Sequence, residues 1–168
     1  MSSQTRQAGP LYTPEQRRRR DATRWTLVQG VLAPAQFLVF LVSLVLVLHT
    51  LATGEGAAAA ATSVVVKTLF LYAIMVTGAI WEKRVFGVYL FAPAFYWEDV
   101  FSMLVIALHT AYVVALGTGW LGMRGQLWLA LAAFAAYVIN AAQFVLKLRA
   151  ARRGEAGALA VATVGGGS

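Results

Sequence analysis

Four long apolar runs, separated by short polar or glycine-containing stretches, dominate the chain. A helix needs about 20 mostly apolar residues to cross a bilayer, and each run comes close to that length or exceeds it. The pattern therefore predicts an all-α, polytopic membrane protein with four transmembrane helices. The predicted spans cover residues 25–51, 63–81, 100–116 and 127–146.

Polar tails are expected on both sides of a transmembrane domain of residues 25–148. Residues 1–24 form a basic N-terminal tail, since they carry the run of four arginines at 17–20. Residues 149–168 are rich in small residues and glycine, and we expect this C-terminal tail to be disordered.

The composition supports a membrane protein over a soluble one. Of the 168 residues, 60% are hydrophobic and only 12% are charged, whereas soluble domains carry about 25% charged residues. There is no cysteine, which excludes disulfide scaffolds and thiolate metal sites. The net charge of +7 comes from basic clusters at the edges of the apolar body. This placement is typical of residues that anchor a protein to membrane lipid, and it argues against nucleic-acid binding.

The distribution of basic residues predicts the orientation. Twelve of the 14 Lys and Arg residues lie before the first span, between the second and third spans, or after the fourth span. On the opposite side there is only Arg124, and Lys67 lies inside the second span, near its outer end. The positive-inside rule then places both termini and the middle connection in the cytoplasm.

The connection between the second and third spans is unusually aromatic. Residues 85–97 are too few to cross a bilayer. Two interpretations are open: an aromatic belt at the membrane interface, or a platform for a flat apolar ligand beside an active site. The aromatic residues are Phe86, Tyr89, Phe91, Phe95, Tyr96 and Trp97.

Polar residues inside spans are costly and are candidates for function. In the third span Glu98, Ser102, His109 and Tyr112 fall on one helical face. The fourth span has a polar side, where side-chain amides either bond neighbouring helices or contact a ligand. This side carries Tyr137, Asn140, Gln143 and Lys147.

Three carboxylates are expected to meet at the cytoplasmic interface. The second span runs inward and the third outward, so Glu82, Glu98 and Asp99 reach the same level, with Lys83 and Arg84 beside them. Crowding at low dielectric favours a state in which one carboxyl group keeps its proton, as a general acid requires. The alternative is a solvated cluster neutralised by the two cations.

Several segments carry a resemblance to one enzyme family. They include PLYTPEQ at 10–16, FAPAFYWEDVFSM at 91–103, ALHTAY at 107–112 and YVINAAQF at 137–144. Over residues 10–153 the chain resembles the 3-vinyl bacteriochlorophyllide hydratases. The resemblance implies addition of water to the ring-A vinyl group of a magnesium chlorin, giving a 1-hydroxyethyl group, with no cofactor. It also implies a bacterial inner membrane, either cytoplasmic or intracytoplasmic photosynthetic.

The residue inventory suits this reaction. Glu98 or Asp99 would donate the proton, and Glu82 or the remaining carboxylate would orient water. Three roles are open for His109: an interior histidine whose hydrogen bonds are satisfied, a ligand to the substrate magnesium, or a proton carrier. No protein metal site is expected. The expected substrate contacts are Lys83 or Arg84 with the propionate, and Phe95, Tyr96 and Trp97 with the ring; Tyr112 and Asn140 are further candidate substrate-binding residues.

Two other classes of protein remain alternatives. A non-enzymatic pigment-binding or assembly protein would use the same aromatic residues and leave the vinyl group unchanged. A small transporter or scaffold is less consistent with the sequence, which has no internal repeat. The sequence leaves open homo-oligomerisation, contact with other pigment-biosynthesis enzymes, and the choice between chlorophyllide and bacteriochlorophyllide.

Overall fold

The computed structural model describes residues 10–165 and shows an all-helical chain. Four of its helices are long and apolar enough to cross a membrane, in agreement with the predicted number of spans. All four extend beyond the predicted limits. The helices are α1 Pro14–Ala22, α2 Arg24–Thr53, α3 Ala57–Phe86, α4 Tyr96–Thr118 and α5 Met123–Gly165.

Helix α1 was not predicted, since its sequence was interpreted only as part of a basic tail. Its start nevertheless carries a complete capping signal. The Thr13 hydroxyl accepts a hydrogen bond from the Gln16 backbone N–H at 3.2 Å, and the Gln16 side chain accepts one from the Thr13 N–H at 2.9 Å. Pro14 occupies the first turn, where its missing N–H costs nothing.

The four long helices form an antiparallel bundle. Helix α2 packs on α3 and α5, and α4 packs on α3 and α5. Ser43 of α2 lies 2.9 Å from Ser63 of α3 between the hydroxyl oxygens. The core contains Phe40, whose ring meets Phe134 edge-on at 5.5 Å and Tyr137 at 5.1 Å between ring centroids.

The outer faces of the bundle are apolar. Many large hydrophobic side chains point away from the core, among them Leu27 at 72% and Val45 at 65% exposure. A surface of this kind is unfavourable in water and suits contact with lipid tails. The fold is therefore that of a multi-pass membrane protein.

The bundle has two distinct ends. At the far end, which holds residues 54–56 and 119–122, the turns are tight. Gly54 closes α2 with a φ of 80°, a left-handed conformation that glycine adopts without strain. At the other end, called the site end here, residues 87–95 link α3 to α4, and α2 begins.

The C-terminal tail differs from its prediction. Disorder was expected from residue 149, whereas helix α5 continues to Gly165; residues 166–168 lie outside the described residues. Charge pairing with α1 is one physical reason. Arg17 Nη2 lies 3.1 Å from Glu155 Oε1, and Arg20 Nη1 lies 3.8 Å from the same oxygen.

Candidate active site

Two carboxyl groups meet at the site end, one from α3 and one from α4. Glu82 and Asp99 are 6% and 3% exposed. The adjacent N–H groups of Phe91 and Ala92 each donate to one of these carboxyl groups, so the two groups are neighbours. Two buried carboxylates at close range repel each other, and this arrangement therefore fits a pair that holds one proton.

The connection of residues 87–95 covers this pair. The Phe91 N–H donates to Asp99 Oδ2 at 2.7 Å, and the Ala92 N–H donates to Glu82 Oε2 at 3.2 Å. Gly87, with a φ of 88°, ends α3 and turns the chain toward this position. Phe91 has a φ of 60°, an uncommon and strained conformation for a bulky residue.

Glu98 has a different environment, although it precedes Asp99 directly. Its Oε2 lies 2.6 Å from Lys147 Nζ of α5. The two side chains are 10% and 29% exposed, respectively. A short contact with an ammonium group stabilises the ionised carboxylate. Neighbouring residues thus present one ion-paired carboxylate and one member of a carboxyl pair.

A polar network continues below Glu98 between α4 and α5. The Ser102 hydroxyl donates to the Glu98 carbonyl oxygen at 2.9 Å and accepts from Asn140 Nδ2 at 2.8 Å. Asn140 Oδ1 and Gln143 Oε1 are buried and have no hydrogen-bond partner within residues 10–157. Either of these two free acceptors, one helical turn apart, can accept a proton from a bound water molecule.

Aromatic side chains form a compact cluster beside these groups. Phe95, 2% exposed, packs at ring-centroid distances of 5.9 Å on Trp81, 5.8 Å on Phe86 and 5.8 Å on Phe144. Tyr12 covers the cluster, and burial raises the pKa of its hydroxyl above the ordinary value of 10.0, although a nearby arginine opposes the shift. Phe95 is therefore a packing residue in this structure.

The predicted aromatic platform is divided by the structure. Tyr96 and Trp97 point outward, with 47% and 70% of their surface exposed, whereas Phe95 is enclosed. The Tyr96 ring lies 5.7 Å from Phe91 and 5.6 Å from Trp97 between centroids. Only the outward group offers ring faces to a flat molecule.

The expected cations are not beside the carboxylates. Lys83 Nζ donates to the Gly87 carbonyl oxygen at 2.8 Å and lies over the Tyr89 ring. Lys83 and Arg84 are exposed, and within the described chain neither forms a salt bridge. The cation that meets a carboxylate is Lys147, which the sequence placed on one side of the fourth span without a role.

His109 and Tyr112 are separated from the carboxyl groups. Both are buried on the face of α4 that also carries Glu98 and Ser102, but His109 is eleven residues from Glu98, about 16 Å along the helix. Lys67, predicted near the outer end of its span, is instead fully buried close to His109. Helix α3 begins six residues before the predicted span, which places Lys67 deeper.

Two cavities lie elsewhere. One, of about 310 Å³, is lined by Pro10, Tyr12, Pro14, Arg17, Arg18 and Asp21. The other, of about 330 Å³, is at the far end and includes Tyr112 and Gln126. Neither is lined by Glu82, Glu98 or Asp99, so an approach to the carboxyl groups from either cavity is not indicated.

Lys147 and Tyr12 are the site residues that sequence reasoning missed. Lys147 follows Asn140 by seven residues, two helical turns, and this spacing already placed it on the polar side of the fourth span. For Tyr12 the only signal is its position before the Thr13 cap, and such a signal does not predict where the segment docks.

Comparison with known proteins identifies the family. The family model of the 2-vinyl bacteriochlorophyllide hydratases matches residues 12–150. A relative in Cereibacter sphaeroides, named 2-vinyl bacteriochlorophyllide hydratase, is 71% identical over 143 residues, which cover 84% of this chain and 88% of the relative.

A relative of the same name in Rhodobacter capsulatus is 68% identical over 142 residues, which cover 84% of this chain and 82% of the relative. No solved structure matches the chain. These names agree with the vinyl bacteriochlorophyllide hydratase family that the sequence resembles. On the family match and these identities, the chain belongs to the 2-vinyl bacteriochlorophyllide hydratase family.

Proposed function

We propose that this chain hydrates the ring-A vinyl group of a magnesium chlorin with the carboxyl groups at its site end. The reaction class follows from family membership: the chain is an enzyme, a hydro-lyase acting on a vinyl bacteriochlorophyllide. The observation that carries the site proposal is the contrast between the Glu82–Asp99 pair and the ion-paired Glu98. The Glu82–Asp99 pair can hold a proton while Glu98 is ionised.

The Glu82–Asp99 pair is the proposed general acid. Its burial and mutual contact favour a shared proton. The pair has no cation in hydrogen-bond contact within the described chain, and its fixed donors are the Phe91 and Ala92 N–H groups. Donating the proton to carbon leaves an anion that these two N–H groups can stabilise.

Glu98 is the proposed base. It forms an ion pair with Lys147, and the free acceptors of Asn140 and Gln143 lie on the same side of α5. A water that donates one proton to an amide oxygen and the other to Glu98 has its lone pairs free for attack. Amide oxygens thus orient the nucleophile, and the carboxylate removes its proton.

The steps balance as follows. The acid pair transfers a proton to the terminal vinyl carbon, whose π electrons form the new C–H bond, and a cation develops on the inner carbon in conjugation with the macrocycle. Water oxygen bonds to that carbon, and Glu98 takes the released proton. Transfer of this proton from Glu98 to the neighbouring Asp99 restores the starting state.

The substrate is proposed to approach from the lipid, along the outward surface of α4. Tyr96 and Trp97 offer exposed ring faces there, and Arg84 is an exposed cation available to the propionate. Because residues 87–95 cover the acid pair, this connection has to move aside when the ring docks. Membrane lipid is then the medium from which substrate enters and into which product leaves.

The orientation proposed for the enzyme follows the distribution of basic residues. The site end carries both tails and the middle connection, so the positive-inside rule puts it at the cytoplasmic surface. The aromatic connection would then lie at the membrane interface. The membrane is proposed to be the bacterial inner membrane or its intracytoplasmic photosynthetic extension.

The test is turnover of a vinyl chlorin by membranes that contain Glu82→Gln, Asp99→Asn or Glu98→Gln. The product loses one conjugated double bond, so its absorption shifts to shorter wavelength. Each variant is expected to lose about 10²- to 10⁴-fold in rate, the range for a general acid or base. Glu55→Gln, which changes an exposed carboxylate at the far end, is the matched control and should keep full activity.

Two results would contradict the proposal. If all three variants were folded and as fast as wild type, the acid–base site would be elsewhere. If the wild-type protein bound the vinyl pigment and released it unchanged, the chain would be a pigment-binding or assembly protein.

A further inference from the structure

A second buried polar centre lies inside the bundle, away from the carboxyl groups. Lys67 of α3 and His109 of α4 are both 0% exposed. Lys67 Nζ has no hydrogen-bond partner among the residues that the structure describes, and its nearest recorded polarisable group is the Tyr137 ring, 3.6 Å from the nitrogen to the centroid. An amine left without a partner inside a membrane protein is strongly unfavourable.

The hydrogen bonding of His109 fixes which of its nitrogens is free. Nδ1 lies 2.8 Å from the Val105 carbonyl oxygen. A carbonyl oxygen can only accept, so Nδ1 carries the hydrogen and Nε2 of the neutral ring is an acceptor. Nε2 is buried and has no partner in the described part of the chain. Lys67 and His109 meet the same aromatic group: Lys67 Nζ lies 5.8 Å from the Phe40 ring centroid, the His109 ring lies 6.1 Å from Phe134, and the Phe40 and Phe134 centroids are 5.5 Å apart.

The two free groups are complementary to one kind of ligand. Lys67 offers only donors, and His109 Nε2 offers only an acceptor. An anion would satisfy Lys67 and be repelled by the Nε2 lone pair, and a metal cation would be repelled by the ammonium. Water accepts from the first group and donates to the second.

We propose that Lys67 and His109 form an internal hydration site, in which bound water bridges Lys67 Nζ and His109 Nε2. This proposal is independent of the vinyl hydration chemistry. It also gives His109 a function other than ligation of the substrate magnesium, since the ring is enclosed and packs 6.1 Å from Phe134 between centroids.

A cavity of about 330 Å³ lies at the far end and is lined by Tyr112. Tyr112 lies one helical turn beyond His109 on the same face of α4. Lys67 is ten residues from the start of α3 and His109 nine from the end of α4, so both lie about 15 Å from the far end. This cavity is the proposed entry point for the bridging water.

The chain is well suited to a direct test because it has only two histidines. His49 is exposed near the far end and serves as the internal control. The experiment is solid-state NMR of full-length protein in lipid bilayers with ¹⁵N-labelled histidine, using magnetisation transfer from water to the ring nitrogens. The His49→Gln variant assigns the signals.

The proposal makes a specific expectation for each signal. His109 should show a protonated Nδ1 and an unprotonated Nε2 that is shielded by a hydrogen bond and receives magnetisation from water. In Lys67→Met the water signal at Nε2 should be lost, because the bridging molecule loses its donor, while the His49 signal stays unchanged.

Three outcomes would overturn the proposal. They are a wild-type Nε2 that receives no magnetisation from water, a His109 ring protonated at both nitrogens, and a folded Lys67→Met variant that retains the full water signal. The wild-type spectrum decides the matter even if Lys67→Met does not fold.

Discussion

Replacing Lys147 with methionine isolates the contribution of the cation at the site. The change keeps most of the side-chain volume and removes the ammonium group 2.6 Å from Glu98 Oε2. Breaking a fully buried ion pair costs about 3–5 kcal/mol, and an exposed pair is worth about 0–1 kcal/mol. The Lys147 and Glu98 side chains are 29% and 10% exposed, which places Lys147→Met at about 2 kcal/mol of lost stability.

The same loss acts on the reaction. Without the ammonium, the Glu98 carboxylate loses its ion-pair partner. The environment that supports Glu98 as the proposed base is then lost, and proton transfer from water should be slower. About 2 kcal/mol transferred to the barrier corresponds to about 30-fold in rate. The assays are vinyl-chlorin turnover in membranes and thermal unfolding of the same preparation. Arg149→Met removes an exposed cation two residues away and should change neither quantity.

A double variant separates a structural from a catalytic role. In Glu98→Gln/Lys147→Met no unpaired charge remains, so most of the lost stability should return, while turnover stays low because the base is missing. If the double variant recovered turnover together with stability, the ion pair would serve folding alone, and the assignment of Glu98 as base would be refuted.

Three further changes have defined outcomes. Asn140→Leu removes the amide that donates to the Ser102 hydroxyl and also removes an acceptor for water. Turnover should fall about 10-fold or more, and thermal unfolding should show a loss of about 1 kcal/mol in stability. Thr26→Val removes the acceptor 2.9 Å from Trp81 Nε1 and should lower unfolding free energy by about 1 kcal/mol and shift tryptophan emission; Thr26→Ser should restore both. Burial raises the pKa of the Tyr12 hydroxyl above its ordinary value of 10.0. Because the buried form is the neutral one, docking of this segment is favoured below pH 10 and weakens as the pH rises above about 10. Unfolding measured over a series of pH values should show this loss of stability at alkaline pH in wild type and not in Tyr12→Phe.

The fold was largely predictable because lipid leaves few alternatives. Every backbone group in the hydrocarbon must bond within its own segment, so apolar length alone indicates helices. The ends were less predictable. Helix α3 starts at Ala57 instead of residue 63, because a run of alanines continues a helix without adding to a hydropathic stripe.

The candidate site could be predicted only in part. Helical periodicity and antiparallel direction were enough to bring Glu82 to Asp99. Periodicity does not say which cation fills the space beside Glu98, since that depends on how α5 rotates against α4. Lys83 and Arg84 adjoin Glu82 in sequence but turn outward at the end of α3, whereas Lys147, distant in sequence, faces inward.

The division of labour between two adjacent carboxyl groups follows from helix geometry. Successive residues on an α-helix point about 100° apart, and α4 packs against both α3 and α5. Glu98 therefore faces α5 and its lysine, while Asp99 faces α3 and Glu82. An acid and a base in adjacent positions need different environments, or they would share one protonation state. A helix between two unlike neighbours supplies both environments, and in the proposed mechanism the short distance between adjacent side chains lets the proton return after each turnover.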